Sequence, residues 1–294
     1  MGCGLRLAHP TGRALRDLWE PGRVTGFPRA LLRVLVRSGR SVRCPDPRDL
    51  AVLSPEEKAR ARRFREPRRA AAYAAAHAAA RRCLGERLGS PAGEIHFGRR
   101  PCPGCGKPDH GRPVVDWPRT SWESSLSRSG PHWLFAAADG VRIGVDIERV
   151  RPVSLNTLSS AVLSEAERDY LADIEPYLRQ AAFIRCWTRK EAVVKASGIG
   201  IEAILSQIDV QPWEPRAVVE HRVAGCPTVT WAIRDLPAGP GYSASLALPA
   251  EAQPLLDFGR DRGAPSPTDI AVAQEATQWR PPPPVRVRTA RPTP

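Results

Sequence analysis

The chain has 294 residues, of which 42% are hydrophobic and 26% are charged. These proportions are typical of soluble globular proteins, and the length allows about two domains of roughly 150 residues. They exclude a small disulfide-stabilised scaffold, and no stretch has the roughly 20 apolar residues of a membrane span. Lys and Arg number 44 against 31 Asp and Glu, and the resulting net charge of +13 favours an anionic partner.

The cysteines and the N-terminus indicate the compartment. The seven cysteines lack the spacing of a disulfide framework, and the first residues lack the apolar core of a secretory signal. We therefore expect a cytoplasmic protein. Cys102, Cys105 and His110 are spaced like zinc ligands, but a structural zinc site needs a fourth ligand. This cluster predicts either a metal site or a reduced loop.

Both ends of the chain differ in composition from its middle. Residues 1–28 mix Gly, Pro and Arg without a hydrophobic period, which predicts an N-terminal extension without a fold. Residues 251–294 become rich in Pro and Arg, which predicts a disordered tail. Between them we expect a first half over 29–139 and a second half over 140–250.

One helical plan occurs twice. Ser54 and Ser164 each lie three residues before a Glu, the pattern of a capping box that opens a helix. Each box is followed by a charged helix and then by a long helix, which we predict to end at Gly85 in the first copy and at Gly198 in the second. The repetition predicts two similar halves.

Four apolar runs predict strands. The runs 133–138 and 142–148 meet at an Asp-Gly dipeptide, a strong turn signal. The runs 228–234 and 242–248 flank a loop rich in Pro and Gly, and we predict that they form an antiparallel pair. Helices laid on small sheets define an α+β fold.

The strand over 143–148 contains a pair of carboxylates. Asp146 and Glu148 alternate with Val145 and Ile147, so both acids point the same way in a strand. Their Cα atoms would be about 6.6 Å apart at about 3.3 Å per residue, a span that one hard cation could bridge. The alternative is a solvated strand face.

A later helix adds a third carboxylate. Glu191 and Lys195 are four residues apart and share a helix face, one turn after Trp187. They could form an ordinary surface ion pair. They could instead supply a third ligand for a magnesium-like site and an ammonium for phosphate oxygens.

These two motifs together resemble a known family. Gly144-Val-Asp-Ile-Glu148, followed by Trp187-Thr-Arg-Lys-Glu191 and Lys195, looks like the signature pair of the 4′-phosphopantetheinyl transferase superfamily, in its monomeric surfactin-type branch. The resemblance covers roughly residues 46 to 248. It implies two similar α/β halves related by a pseudo-twofold axis, with coenzyme A held between them in a monomer.

The resemblance also implies a reaction. A carrier-protein serine attacks the β-phosphate of coenzyme A, takes up 4′-phosphopantetheine and releases adenosine 3′,5′-bisphosphate. The protein would then be a holo-[acyl-carrier-protein] synthase, dependent on Mg²⁺, acting on acyl or peptidyl carrier proteins of polyketide or nonribosomal peptide biosynthesis. Two alternatives are a catalytically weakened binder of coenzyme A or carrier proteins on the same fold, and a basic nucleic-acid-binding protein. No nucleic-acid-binding motif accompanies the charge.

Individual residues inherit roles from the resemblance. Asp146, Glu148 and Glu191 match the magnesium ligands, and Glu191 is also a candidate base for the serine proton. Lys195 and Lys190 match the lysines of the family helix, and Lys195 is the better match for a pyrophosphate contact. Further implied contacts to coenzyme A lie in the first half of the chain: Arg60, Arg63, Arg112, Ser127 and Arg128.

Two positions depart from the family pattern. The family usually has Asn where this chain has Ser125, and His where it has Arg128. An arginine can hold a phosphate with two parallel hydrogen bonds and stays charged at all physiological pH values. We therefore expect coenzyme binding to persist with a changed pH profile.

Overall fold

The structure is a computed structural model. It describes residues 32–41, 43–108, 111–200, 203–222, 227–252 and 254–258. All of them belong to one compact unit that begins at Leu32. The N-terminal extension predicted over 1–28 lies outside the described residues, and so does the predicted tail from residue 259 onward.

The described residues form six α-helices, three short 3₁₀ helices and ten strands. The helices are α1 Pro47–Val52, α2 Pro55–Arg62, α3 Pro67–Leu88, α4 Leu155–Val162, α5 Glu165–Asp173 and α6 Arg179–Ser197, with 3₁₀ turns at Ala92–Glu94, Pro176–Leu178 and Leu205–Gln207. The strands are β1 Leu32–Arg40, β2 His96–Arg99, β3 Pro113–Trp117, β4 Trp122–Ser129, β5 His132–Asp139, β6 Gly144–Arg149, β7 Arg216–His221, β8 Val229–Asp235, β9 Tyr242–Pro249 and β10 Pro254–Phe258.

The strands form two sheets, each covered by one long helix. The first sheet has the order β10-β1-β5-β4-β3-β2 and the second has the order β6-β9-β8-β7. Every pairing is antiparallel except that of β1 with β10. Helix α3 packs its alanines on the first sheet, and α6 packs on the second. The predicted α+β fold is confirmed.

Both capping boxes are present and open α2 and α5. In each box the backbone N–H of the Glu donates to the Ser side chain at 3.2 Å, and the backbone N–H of the Ser donates to the Glu carboxylate at 2.9 Å. Helix α6 ends at Gly198 as predicted, with φ of 81°.

The first long helix runs further than predicted. It continues through Gly85 to Leu88 and is closed by Gly89 with φ of 63°. Gly85 is present because a Cβ there would lie only 2.6 Å from the backbone oxygen of Ser90. The glycine therefore permits a close approach inside the helix rather than ending it.

The runs 133–138 and 142–148 do not pair with each other. The turn between them exists, with Gly140 at φ of 66°, but β5 already has β1 and β4 as neighbours in the first sheet. Strand β6 instead pairs with β9 in the second sheet, so the chain passes from one sheet to the other at this turn. The predicted antiparallel pair of β8 and β9 is confirmed.

A strand lies inside the segment predicted as a tail. Residues 254–258 form β10, which pairs in parallel with β1. The tail prediction over 251–294 is wrong for these five residues. Their sequence, Pro-Leu-Leu-Asp-Phe, is apolar enough to complete a sheet edge, whereas Pro and Arg dominate only further along.

A hydrophobic cluster joins the two sheets. It brings together buried side chains of β1, β5, β6 and β9, including Val36, Ala136, Val145, Ile147 and Leu246. The division into halves at residue 140 stays a prediction. None of the helices in the described part of the chain has the length and apolarity to cross a membrane.

Candidate active site

The predicted carboxylates lie on β6 and α6, which pack against each other. Asp146 and Glu148 lie on the strand, and Glu191 and Lys195 lie on the helix. Gly144 makes this approach possible, because a Cβ at that position would collide with the backbone oxygen of Ala192. The glycine that opens the strand motif therefore allows the two signature motifs to pack in contact.

Asp146 is the most buried member of this group. Its side chain is 4% exposed, which excludes the solvated strand face for this residue. The Oδ1 atom accepts hydrogen bonds from Ser127 Oγ at 2.6 Å and from Lys195 Nζ at 2.6 Å. The buried Oδ2 atom has no hydrogen-bond partner. A buried carboxylate oxygen without a partner is costly, so it marks a place for a further ligand.

The other two carboxylates have altered acidity. Burial raises the pKa of Glu148, with a further contribution from the charge of Asp146, although Ser129 opposes the shift by donating a hydrogen bond at 2.7 Å. Burial also raises the pKa of Glu191, again with contributions from Asp146 and Glu148. The three carboxylates are therefore close enough to repel one another.

This donor set fits a hard divalent cation. The three carboxylates repel one another, and one of them has a buried oxygen without a partner. Carboxylate oxygens are the protein ligands that Mg²⁺ prefers. Within the described ranges, no three His, Cys, Asp or Glu side chains converge closely enough to hold an ion as they stand. Lys195 contributes the positive charge beside Asp146 instead.

The prediction that Lys190 contacts the coenzyme is wrong. Its side chain is fully buried and forms an ion pair with Glu167 at 2.7 Å, and Glu167 is equally buried. The ammonium also donates to the backbone oxygens of Leu205, at 3.0 Å, and Ile208. Lys190 therefore joins α6 to the capping box of α5 inside the core.

The arginines predicted near the coenzyme have different surroundings. Arg128 lies over the ring of Tyr73, with its guanidinium carbon 5.1 Å from the ring centroid. Burial lowers the pKa of Arg128, and Arg60 is near enough to lower it further. Arg60 and Arg63 are both exposed. The structure thus brings Arg60 and Arg128 together beside an aromatic ring.

Arg112 contacts residues of β4 and of the end of α6. Its guanidinium forms an ion pair with Glu123 at 3.0 Å. Its side chain also covers Gly198, where a Cβ would lie 3.5 Å from Arg112 Cδ. Arg112 therefore links β4 to the end of α6, with part of its charge already compensated by Glu123.

Sequence reasoning missed Ser129 and Tyr73. It placed Ser127 among the coenzyme contacts, whereas the structure shows this side chain donating to Asp146. The available signal was the alternation of serines at 125, 127 and 129, which predicts one polar strand face.

The possible zinc cluster stays a prediction. Cys102 is buried, with its sulfur 3.5 Å from the backbone oxygen of Ile199. Cys105 is exposed, and His110 lies outside the described residues.

Comparisons with known proteins identify the family of this chain. The family model of the 4′-phosphopantetheinyl transferase superfamily matches residues 142–242. The chain is 32% identical to the 4′-phosphopantetheinyl transferase HetI of Nostoc sp. over 56% of its own length and 68% of that protein. It is 31% identical to the 4′-phosphopantetheinyl transferase ffp of Bacillus subtilis over 35% of its length and 45% of that protein. The chain belongs to the 4′-phosphopantetheinyl transferase superfamily, and the predicted family and enzyme class are confirmed.

Proposed function

We propose that this protein transfers 4′-phosphopantetheine from coenzyme A to a serine of an acyl or peptidyl carrier protein, at the carboxylates shared by β6 and α6. The observation that carries the proposal is buried Asp146, fixed through Oδ1 by Ser127 and Lys195 and unpartnered at Oδ2. In this reaction the serine Oγ forms a bond to the β-phosphorus, and the bond from that phosphorus to the bridging oxygen breaks. The leaving group is adenosine 3′,5′-bisphosphate.

Asp146, Glu148 and Glu191 would hold Mg²⁺. Bound there, the ion would offset negative charge on the pyrophosphate during transfer. The support is chemical: the three partly buried carboxylates repel one another, Lys195 is paired with Asp146 through Oδ1, and Asp146 Oδ2 has no partner.

Glu191 is the proposed base for the serine proton. Burial and the charge of Asp146 raise the pKa of Glu191 above its ordinary value. A raised pKa makes a carboxylate a better proton acceptor, so a Glu191 oxygen that faces the serine and not the ion suits general-base work. The proton would move from the carrier serine to a Glu191 carboxylate oxygen.

Lys195 and the arginines would hold the phosphates. The side chain of Lys195 is 29% exposed, so its ammonium can contact a pyrophosphate while it remains beside Asp146. Arg60 and Arg128 lie together and offer charge to the 3′-phosphate, with exposed Arg63 nearby in sequence. Arg112 is a weaker candidate because Glu123 already neutralises much of its charge.

The site also supports a monomer. Ser127 comes from the first sheet and Asp146 from the second, so one chain supplies both sides of the acidic centre. We further propose a cytoplasmic enzyme that acts in polyketide or nonribosomal peptide biosynthesis, on the basis of the cysteine content and the family branch it resembles. A basic surface would attract an acidic carrier protein.

The test is the intact mass of an apo carrier protein incubated with this protein, coenzyme A and Mg²⁺. We expect the carrier to gain the mass of phosphopantetheine, and EDTA to prevent the gain until excess Mg²⁺ is restored. Binding of coenzyme A without any mass gain, across acyl and peptidyl carriers, would identify a catalytically weakened binder instead. DNA affinity that falls steeply with salt would support the nucleic-acid alternative.

A further inference from the structure

Three alternate serines of β4 contact the edge of β6. In the described part of the chain β6 forms a hydrogen-bonded ladder with β9 alone, so the backbone N–H groups along its other edge have no ladder partner. The N–H of Val145 donates to Ser125 Oγ at 3.1 Å, and the N–H of Arg149 donates to Ser129 Oγ at 3.0 Å. Ser127 lies between them. We call Ser125, Ser127 and Ser129 the serine row.

Two members of the serine row also donate to predicted metal ligands. Ser127 Oγ donates to Asp146 Oδ1 at 2.6 Å, and Ser129 Oγ donates to Glu148 Oε2 at 2.7 Å. Each serine therefore fixes one oxygen of one carboxylate. Ser125 differs from them because its oxygen accepts a backbone N–H, that of Val145, instead of donating to one of the two carboxylates.

The hydroxyl of Ser129 is itself held in one orientation. Its oxygen accepts the N–H of Arg149, which directs its proton toward Glu148. The neutral hydroxyl of Ser129 can orient Glu148 without neutralising its charge, whereas Lys195 already offsets part of the charge of Asp146. A carboxylate that is already oriented loses less conformational freedom when it binds a ligand.

We propose that Ser129 and Ser127 are positioning residues for the metal site, acting through Glu148 and Asp146 from the opposite sheet. This inference rests on the proposed function, because it assigns those two carboxylates to a divalent cation. It gives the first half of the chain a direct part in metal binding, since β4 belongs to the six-stranded sheet.

The test is the dissociation constant of Mn²⁺ for the full chain, measured by the electron paramagnetic resonance of the free ion. Ser129→Ala should weaken Mn²⁺ binding by about tenfold, the usual cost of removing an outer partner of a metal ligand. Ser129→Thr, which keeps a hydroxyl, should stay within about twofold of the wild type, whereas the equally shaped Ser129→Val should resemble Ser129→Ala.

Ser125→Ala is the matched control, because it removes a hydroxyl from the same row that contacts only backbone. It should lower the thermal midpoint of unfolding while leaving the Mn²⁺ dissociation constant within about twofold. A purely structural serine row would give the opposite pattern, with similar losses of stability and no difference in Mn²⁺ affinity between Ser129→Ala and Ser125→Ala. If Ser129→Ala does not fold, the Thr and Val variants and Ser127→Ala decide the question by the same measurement.

Asp146→Ala distinguishes a failure of the proposed metal site from a failure of the positioning role of the serines. A wild type that binds Mn²⁺ no more tightly than Asp146→Ala would overturn the metal site of the proposed function. If the wild type binds Mn²⁺ tightly and Ser129→Ala and Ser127→Ala bind it equally well, only the positioning role of the serines is overturned. The half-saturating Mg²⁺ concentration for transfer should rise in Ser129→Ala while kcat at saturating Mg²⁺ is largely recovered.

Discussion

Glu57 and Glu167 hold equivalent positions in the two copies of the helical plan. Each is the Glu of a capping box. Each also forms an ion pair at 2.7 Å with the long helix that follows, Glu57 with Arg81 and Glu167 with Lys190. The equivalence explains why Lys190 is a core residue despite its place in the signature helix. Its counterpart in the first half is Arg81, which ties a helix to its neighbour in the same way.

Glu57 makes the free energy of unfolding depend on pH in the acidic range. Burial alone would raise the pKa of Glu57, but hydrogen bonds from His77, Arg81 and Ser54 lower it from 4.5 to about 2. Because the folded-state pKa is the lower one, this stabilisation is complete above about pH 4.5 and is lost as pH falls toward about 2. Glu57→Gln should therefore lower the free energy of unfolding by up to about 3 kcal/mol at neutral pH, and by much less near pH 2.

Urea unfolding of the wild type and Glu57→Gln at neutral pH and at about pH 2.5 checks this prediction. An equal difference at both pH values would show that the loss is one of packing and not of charge.

Lys190 should matter for folding and not for the coenzyme. Lys190→Met leaves the buried Glu167 carboxylate without its cationic partner, which should cost about 3 to 5 kcal/mol in the free energy of unfolding. Adding Glu167→Gln to Lys190→Met removes the uncompensated charge and keeps an amide oxygen to accept from the N–H groups of Ser164 or Val210, so the double variant should recover much of that loss. The measurements are urea unfolding and the KM for coenzyme A, which should stay within about threefold in the double variant. A large rise in that KM in a well-folded variant would return Lys190 to the coenzyme site.

Arg128 should make coenzyme binding insensitive to pH. The guanidinium stays charged although burial lowers its pKa, whereas a histidine loses its charge near neutrality. Arg128→His should bind coenzyme A almost as well as the wild type near pH 6, and about tenfold more weakly near pH 8. Calorimetric titration with coenzyme A measures this, with 3′-dephospho-coenzyme A as the control ligand. A flat pH profile in the histidine variant would place the 3′-phosphate elsewhere.

Ionised Glu191 should lower the stability of the metal-free protein at neutral and alkaline pH. Burial and the neighbouring Asp146 raise the pKa of Glu191, so its ionised form is less favourable in the folded chain than in the unfolded one. The penalty is absent below about pH 4.5 and develops as pH rises through the folded-state pKa. Glu191→Gln, without metal, should raise the thermal midpoint of unfolding at about pH 8 and leave it unchanged at about pH 4. A lower midpoint at the higher pH would mean that Glu191 is stabilised by contacts that Gln loses.

The sequence was sufficient for the parts of the site that local motifs encode. Alternation in β6 placed Asp146 and Glu148 on one face of the strand, and the four-residue spacing in α6 placed Glu191 and Lys195 on one face of the helix, whereas the family resemblance suggested that the two motifs share a site. The capping boxes were equally predictable, since both partners lie within one helical turn.

The remaining features depend on contacts between distant segments. The burial of Lys190 depends on Glu167, which lies in another helix. Strand β10 pairs with β1 from the other end of the chain. Ser129 gains its role only when β4 lies beside β6, and no spacing within β4 indicates that neighbour. An Asp-Gly turn likewise does not indicate whether the next strand stays in the same sheet.

The central claim is that the carboxylates shared by β6 and α6 carry the transfer, and Asp146→Asn tests it most directly. Asparagine keeps an acceptor for Ser127 and removes only the charge, so the fold should be retained. The measurement is the time course of phosphopantetheine mass gained by an apo carrier protein with coenzyme A and Mg²⁺. The rate of Asp146→Asn should be at least about 100-fold below that of the wild type at equal thermal stability. A rate within about twofold of the wild type would contradict the central claim.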